Sequence, residues 1–381
     1  MGFFLKLAPS KTVPHLPRCG SCNLHKNCES PKISFVGEGR RKILIVGGSP
    51  NETEDEERKQ FVGSEGREFR KIVEGFGIDL YEDCWSTFAV RCRVPKDGVP
   101  NNRQIEWCRP DVMKNVRECK PSTVILLGAS AAESLLGFLW KPSIGPLERW
   151  IGWKIPSQQL NAWVCPVSHP SDVSKAKDPI VELIFREHLE AAFDLSDRPW
   201  QEVPDYRKDV ECIMDVDRAA KIIRGMIKRG GPVAFDYETD RLKPDHPDAR
   251  IVSCSVCWQG KRTIAYPWIG RAVRASRELL SGFEQKIGWN IKFEERWTRK
   301  ALGNGVSNWL WDGMQASHCL DNRRAISSLK FQSFVRLGLA PYDESIGPYL
   351  KAKGSNEKNQ IDRADMRELS FVQWIGFVVD V

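Results

Sequence analysis

No stretch of the 381-residue sequence reaches the roughly 18 uninterrupted apolar residues that a membrane-spanning helix needs. The nearest, around Val124 to Trp140, is broken by Ser130, Glu133 and Ser134, so no membrane partner is expected. The start is equally poor in targeting features. Met1 to Leu7 is too short an apolar run for a signal peptide, and Lys6 fails the myristoylation pattern, which leaves a cytoplasmic location as the expectation. Internal repeats and low-complexity tracts are missing, which excludes solenoid and fibrous architectures. Neither sign of charge dominates: 57 Lys+Arg against 50 Asp+Glu leave +7, compatible with a polyanionic partner but not diagnostic of one. What remains is an ordinary globular composition, 41% hydrophobic, at a length that predicts two domains of roughly 100–200 residues each.

Twelve cysteines in a reducing compartment read as thiols or ligands rather than a disulfide framework, so their spacing is the informative quantity. Cys19-Gly-Ser-Cys22 is followed by Cys92 and Cys108, with fifteen residues between the last two. Spacing alone leaves zinc, redox chemistry and chance open, but two separated pairs can bring four thiolates to one metal or cluster. Cys28, Cys84, Cys119 and Cys165 read as structural thiols.

Lys42-Ile-Leu-Ile-Val-Gly47 is a continuous apolar run opening into Gly48, Ser49 and Pro50, as expected of a buried parallel strand that ends in a functional loop. Strands are predicted at Cys84–Val90, Ser122–Leu127 and Trp163–Val167, with helices at Gly66–Gly75, Asp111–Glu118, Ala129–Leu136 and Asp178–Phe193. Glu52–Lys59 reads as a charged loop. This alternation predicts a three-layer α/β domain with a parallel sheet over residues 1–194. Residues 195–209, with two prolines and mixed charge, read as a linker. From residue 210 to 381 the pattern changes: a basic helix Asp217–Arg229, a strand Val233–Phe235, and strands Ile251–Trp258 and Arg262–Tyr266 at hairpin spacing across Gly260 predict a mixed sheet.

Four strings of the first half, Val46–Gly66, Thr87–Pro95, Cys108–Gly137 and Val167–Val173, resemble a family 4 uracil-DNA glycosylase in the correct order. The resemblance implies a 4Fe–4S cluster on Cys19, Cys22, Cys92 and Cys108, with zinc as the alternative. It also implies Phe61 as the ring that stacks on a flipped base and His169 as the residue holding the developing uracil anion. The sequence departs from the family at three points. Gly48 stands where a glutamate would position water, Asn51 replaces a glycine, and Phe88 replaces the asparagine that reads uracil. Ser49, Asn51 and Glu52 are the candidate substitutes for the lost base, and the domain is expected to bind DNA without excising uracil.

In the second half Asp236 and Glu238, two apart on a strand, point to one face and can converge on divalent cations. Together with Gly288–Glu294, Trp311–Met314 and the helix-like Ser328–Gln332, they resemble the 3′–5′ proofreading exonuclease domain of family-A DNA polymerases, an RNase H-like fold. The resemblance implies two-metal hydrolysis with Mg²⁺ or Mn²⁺, Glu294 in place of the usual aspartate, and Asn290 as a polar residue of the nucleic-acid site. Asp312 and Asp321 read as helix caps. The family's third motif, a Tyr followed four residues later by Asp, has no match in Arg367–Gly376, and Asp380 stands isolated. Trp374 has only the codon TGG and Ile375 begins AT. Reading one nucleotide later therefore forces a glycine, and codon degeneracy elsewhere allows Phe371–Asp380 to spell Leu-Tyr-Asn-Gly-Leu-Asp-Ser-Leu-Leu-Thr, the missing motif. The expectation is the N-terminal portion of a bacteriophage-type DNA polymerase cut near Ser370, acting on the single-stranded 3′ end of DNA, with replisome proteins as further partners and weak or no exonuclease activity of its own. An active repair glycosylase and a non-catalytic DNA-binding module are the alternatives.

Overall fold

The computed structural model describes residues 19–197, 210–259, 262–339, 346–354 and 356–366. The linker expectation from 198 onward, Gly260 and the third-motif region from Arg367 lie outside them. The chain divides into two compact units, Met1–Glu202 with Val335–Ala340 and Val203–Phe334 with Pro341–Val381.

The first unit is built on a five-stranded sheet of order β2-β1-β3-β5-β4, with β1 Ile43–Gly47, β2 Cys84–Phe88, β3 Thr123–Leu127, β4 Ile155–Ser157 and β5 Ala162–Val167. β1 and β3 are buried at every residue, which is why they read as unbroken apolar runs. Its helices are α1 Glu52–Glu57, α2 Ser64–Glu74, α3 Asn102–Cys119, α4 Gly128–Leu139, α5 Pro170–Ala176 and α6 Pro179–Phe193. One face of the sheet meets Phe69, Ile72 and Val73 of α2, Val173 of α5 and Phe185, Leu189 and Phe193 of α6 in a single core. Leu195 is buried in the same core, within a 3-10 turn over Asp194–Asp197.

Three expectations change. The sheet is not wholly parallel: β4 pairs antiparallel with β5. A three-residue strand carrying Pro156 has no period to read, and its edge position is where a proline is tolerated. Glu52–Glu57 is a helix, not a loop. Asn51 accepts the Glu54 N–H at 3.0 Å while the Glu54 carboxylate accepts the Asn51 N–H at 3.0 Å, and three acids sit in the first turn, where the helix dipole favours them. Finally, α3 starts at Asn102 rather than after Pro110, because a second capping box, Asn101 with Gln104, initiates it and Pro110 is carried inside.

The second unit holds a six-stranded sheet of order β11-β10-β7-β8-β9-β6, made of β6 Val210–Cys212, β7 Val233–Thr239, β8 Ile251–Trp258, β9 Arg262–Pro267, β10 Lys286–Gly288 and β11 Trp309–Asp312. β7, β8 and β9 pair antiparallel in sequence, while β10 joins β7 and β11 joins β10 in parallel. That order and those directions are those of an RNase H-like sheet, here extended at the far edge by β6, parallel to β9. The helices α7 Val216–Arg229, α8 Gly270–Leu280 and α9 Lys292–Leu302 share a core with Phe235 and Tyr237 of β7. α10 Gly313–Leu320 and α11 Leu329–Leu337 follow, the latter extending the segment read as Ser328–Gln332.

Candidate functional site

In the first unit the candidate base site lies where β1 and β2 end. Phe61 stands at φ 57°, a conformation a bulky residue rarely adopts. Two contacts hold it there. Its N–H donates to Glu54 Oε1 at 2.7 Å, and Gly66 lets α2 close on its backbone, since a Cβ there would stand 2.5 Å from Phe61 C. Burial raises the Glu54 carboxyl above its ordinary range, against the lowering effect of the N–H groups of Asn51 and Phe61.

The Phe61 ring does not face an open slot. Phe88, itself buried, packs 6.1 Å from it between ring centroids, and Phe69 packs 5.4 Å from it, both rings tilted. Phe88 also lies against Gly47, where a Cβ would stand 2.9 Å from Phe88 Cδ1. The position expected to read uracil is thus occupied by an aromatic ring that joins the core. Gly48 leaves room: a Cβ there meets only Ser130, at 3.7 Å. Asn51 is committed to its capping box, and Glu52 is paired with Arg93 at 2.9 Å. His169 caps α5: its Nδ1 accepts the Ser171 N–H at 3.2 Å and lies 2.7 Å from Ser171 Oγ. Burial holds its pKa below the usual histidine value, so the ring is neutral at pH 7 with its proton on Nε2.

The cysteines gather around a separate small core of Leu24, Val90, Val94 and Ile105, in which Cys92 is buried and against which Cys22, Cys28 and Cys108 pack. Two features bring the N-terminal segment there. Asp55, buried, accepts the N–H groups of Glu29 and Ser30 at 2.9 and 2.8 Å, and Ile33 and Arg91 exchange hydrogen bonds of 2.9 and 2.8 Å. The Lys32 N–H donates to Cys92 Sγ at 3.4 Å. The Cys108 thiol is pushed up to about 12 by burial, followed by the nearby sulfurs of Cys22, Cys92 and Cys19, against a lowering hydrogen bond from the Arg91 backbone. Cys22, Cys92 and Cys108 share this apolar pocket, with backbone N–H groups toward the sulfurs of Cys92 and Cys108, a donor set whose chemistry fits a thiolate-ligated group. As placed, no three His, Cys, Asp or Glu side chains among the described residues stand close enough to hold a metal ion.

In the second unit β7 alternates buried and half-buried residues, which puts Phe235 and Tyr237 in the core and leaves Asp236 and Glu238 on the opposite side, half-buried. Glu294 comes from the first turn of α9, where Glu294, Trp297 and Thr298 form its buried face at i, i+3 and i+4. The Glu294 carboxyl is hydrogen-bonded to Asp236. It is held well above the usual carboxylate range, first by burial and then by the charges of Asp236 and Asp312. Its Oε2 has no hydrogen-bond partner among the described residues. Thr298, one turn on, meets the Tyr237 hydroxyl at 3.0 Å.

Asp312 organises the approach to this pair. Its carboxylate accepts Asn290 N–H at 2.9 Å and Ile291 N–H at 3.2 Å from one loop, and Met314 N–H at 3.0 Å from the start of α10. Asp312 is therefore the cap that the sequence predicts, and also the clasp that sets the start of α9. Asn290 serves that clasp through its backbone in a left-handed conformation, φ 63°. Asp321 accepts the Arg323 N–H at 3.0 Å and pairs with its guanidinium, just after α10. The sequence reading missed the roles of Glu54, Asp55 and Thr298. Of these only Glu54 left a local signal, the Asn51–Glu54 spacing of a capping box.

Residues 34–193 match the family model described as the uracil DNA glycosylase superfamily. Among curated proteins, the type-4 uracil-DNA glycosylase of Pyrobaculum aerophilum is 32% identical over 123 residues, covering 32% of this chain and 61% of that protein. The Saccharolobus solfataricus type-4 enzyme is 28% identical over 188 residues, 48% of this chain and 84% of that one. The DNA polymerase of Bacillus phage SP01 is 24% identical over 357 residues, 85% of this chain but 37% of the polymerase. The chain thus spans about three fifths of the Pyrobaculum protein and little over a third of the polymerase. Among solved structures, Trypanosoma brucei RNase D in complex with RNA U12 covers 45% of this chain and 59% of its own, at 14% identity and a TM-score of 0.35. Residues 34–193 are therefore similar to the uracil-DNA glycosylase superfamily and precede in sequence a unit with an RNase H-like sheet, in a chain similar over most of its length to a phage DNA polymerase.

Proposed function

We propose that the chain is a portion of a phage-type DNA polymerase, in which the first unit binds DNA without excising uracil and the second is a 3′–5′ exonuclease unit that takes the single-stranded 3′ end. The observation that carries this reading is the meeting of Asp236 and Glu294, two carboxyls from separate segments in contact, with the Glu294 carboxyl held above its ordinary range. Such a pair costs stability unless a cation accompanies it. Asp236, Glu238 and Glu294 would hold Mg²⁺ or Mn²⁺, which supplies an activated water and stabilises the leaving 3′ oxygen. Asp236 and Glu238 present their carboxylates from a rigid strand, Glu294 reaches them from the first turn of α9, and Asp312 fixes where that turn begins.

Phe88 supports the reading of the first unit: with its ring in the core, a flipped uracil meets neither a slot beside Phe61 nor an amide to read its edge. His169 keeps a neutral ring suited to donating from Nε2 to a phosphate or base oxygen. Cys19, Cys22, Cys92 and Cys108 would hold a 4Fe–4S cluster that ties the N-terminal segment to β2 and α3. The test is Mn²⁺-dependent stabilisation of the second unit, abolished by Asp236→Ala, with at most weak release of 3′ nucleotides from single-stranded DNA because the third motif is missing. Indifference to Mn²⁺ would overturn the exonuclease reading, and abasic sites formed in uracil-containing DNA would overturn that of the first unit.

A further inference from the structure

In the second unit α7 and α8 cover the face of the sheet that Phe235 and Tyr237 enter, away from Asp236 and Glu238. Two ion pairs join the helices, Asp217 with Arg271 at 3.2 Å and Arg224 with Glu278 at 2.8 Å. These partners lie about two turns apart in the same sense on both helices, so the helices run parallel. Their apolar residues turn into the core, Ala219 and Ile223 from α7 and Ala275 and Leu279 from α8. The outer face is cationic. Lys221 and Lys228 of α7 and Arg274 and Arg277 of α8 are exposed, and among the described residues they make no ion pair or side-chain hydrogen bond, the nearby Asp217 and Glu278 being already engaged.

Like charges repel at helical spacing, and Arg271, Arg274 and Arg277 recur at i, i+3 and i+6 along α8 with only Arg271 in an ion pair. A polyanion relieves that repulsion. Neither helix contains an aromatic residue. Single strands are held by rings on which bases stack, whereas cations without rings meet phosphates alone and read no sequence. We infer that the outer face of α7 and α8 is a docking surface for the phosphate backbone of double-stranded DNA, with Lys221, Lys228, Arg274 and Arg277 as its contacts. The surface is separate from the carboxyls on the opposite side of β7 and does not depend on their holding metal.

The test uses the full chain and a fluorescent blunt duplex free of uracil, with binding followed by anisotropy over a range of salt. Divalent cations are left out, so the outcome does not turn on the metal reading. The combined substitution Lys221→Gln, Arg274→Gln and Arg277→Gln is expected to weaken binding about tenfold or more and to reduce the slope of log K against log salt by about two to three, one phosphate contact being lost per cation removed. Hydrogen exchange of β8 amides is expected to stay as in the wild type, which separates this loss from unfolding. Unchanged affinity and slope would overturn the surface and leave duplex binding to the first unit. In the wild type the duplex is expected to shield Lys221 and Lys228 from acetylation, and a lack of shielding would also overturn it. Equal shielding by polyglutamate at matched charge would assign the face to an acidic protein, and shielding by single strands but not by duplex would assign it to single-stranded DNA; either outcome overturns the inference.

Discussion

The two units hold their proposed sites in opposite ways. In the first, the positions that the glycosylase resemblance assigns to chemistry do other work: Phe88 packs beside Phe61, Asn51 caps α1 and Gly48 carries no side chain. In the second, the carboxyls are kept although they strain the fold: Glu294 is buried, in contact with Asp236, with one oxygen lacking a partner among the described residues. A site turned to packing adds stability and leaves a binding surface. A site held at a cost in stability marks the place where a ligand is expected.

The largest expected effect tests that contrast directly. Asp236→Ala should abolish the Mn²⁺-dependent stabilisation of the second unit, which for the wild type amounts to about 2.7 kcal/mol at a hundredfold excess over Kd, and with it any weak nucleotide release. Hydrogen exchange of β8 amides before and after Mn²⁺ reads this unit by itself. In the first unit Phe88→Ala should cost about 3–5 kcal/mol, read from β3 amides, because it empties a buried aromatic position. A cost below about 1 kcal/mol would mean that the slot is open and the contrast false.

Asp312→Ala should cost about 1–2 kcal/mol, the loss of a helix cap, and should weaken metal binding with it if the clasp sets the start of α9. Smaller effects follow from pH. The Glu294 pKa is raised in the folded state, so without metal the second unit should lose stability as pH rises from the ordinary glutamate value through the raised one, and Glu294→Gln should remove that loss and stabilise the metal-free unit. His169 has the opposite sign. Its folded pKa is lowered, so its contribution is present above the ordinary histidine value and lost as pH falls from that value through the lowered one, a slope that His169→Asn should flatten in a urea titration followed at β3.

Much of the fold was legible because it rests on local pattern. The apolar runs at Ile43–Gly47 and Thr123–Leu127, the hairpin spacing of Ile251–Trp258 and Arg262–Pro267, and the alternation that puts Asp236 and Glu238 on one side of β7 all follow from period and composition. The short edge strands β4 and β6 and the start of α3 were not, since three residues carry no period and a capping box outweighed a proline. Asp236, Glu238, Glu294, Phe61, His169 and the four paired cysteines could be named from motifs. What those residues meet could not.

The sequence by itself determined which residue types stand at each motif position, including the substitutions Gly48, Phe88 and Glu294, because motifs and periods are properties of a linear order. Only the tertiary structure decided that Phe88 closes the slot beside Phe61, that Glu294 reaches Asp236, and that Asp312 holds two loops at once. Each of these joins side chains far apart in the chain. Their energies depend on burial and on neighbours that only folding brings within reach.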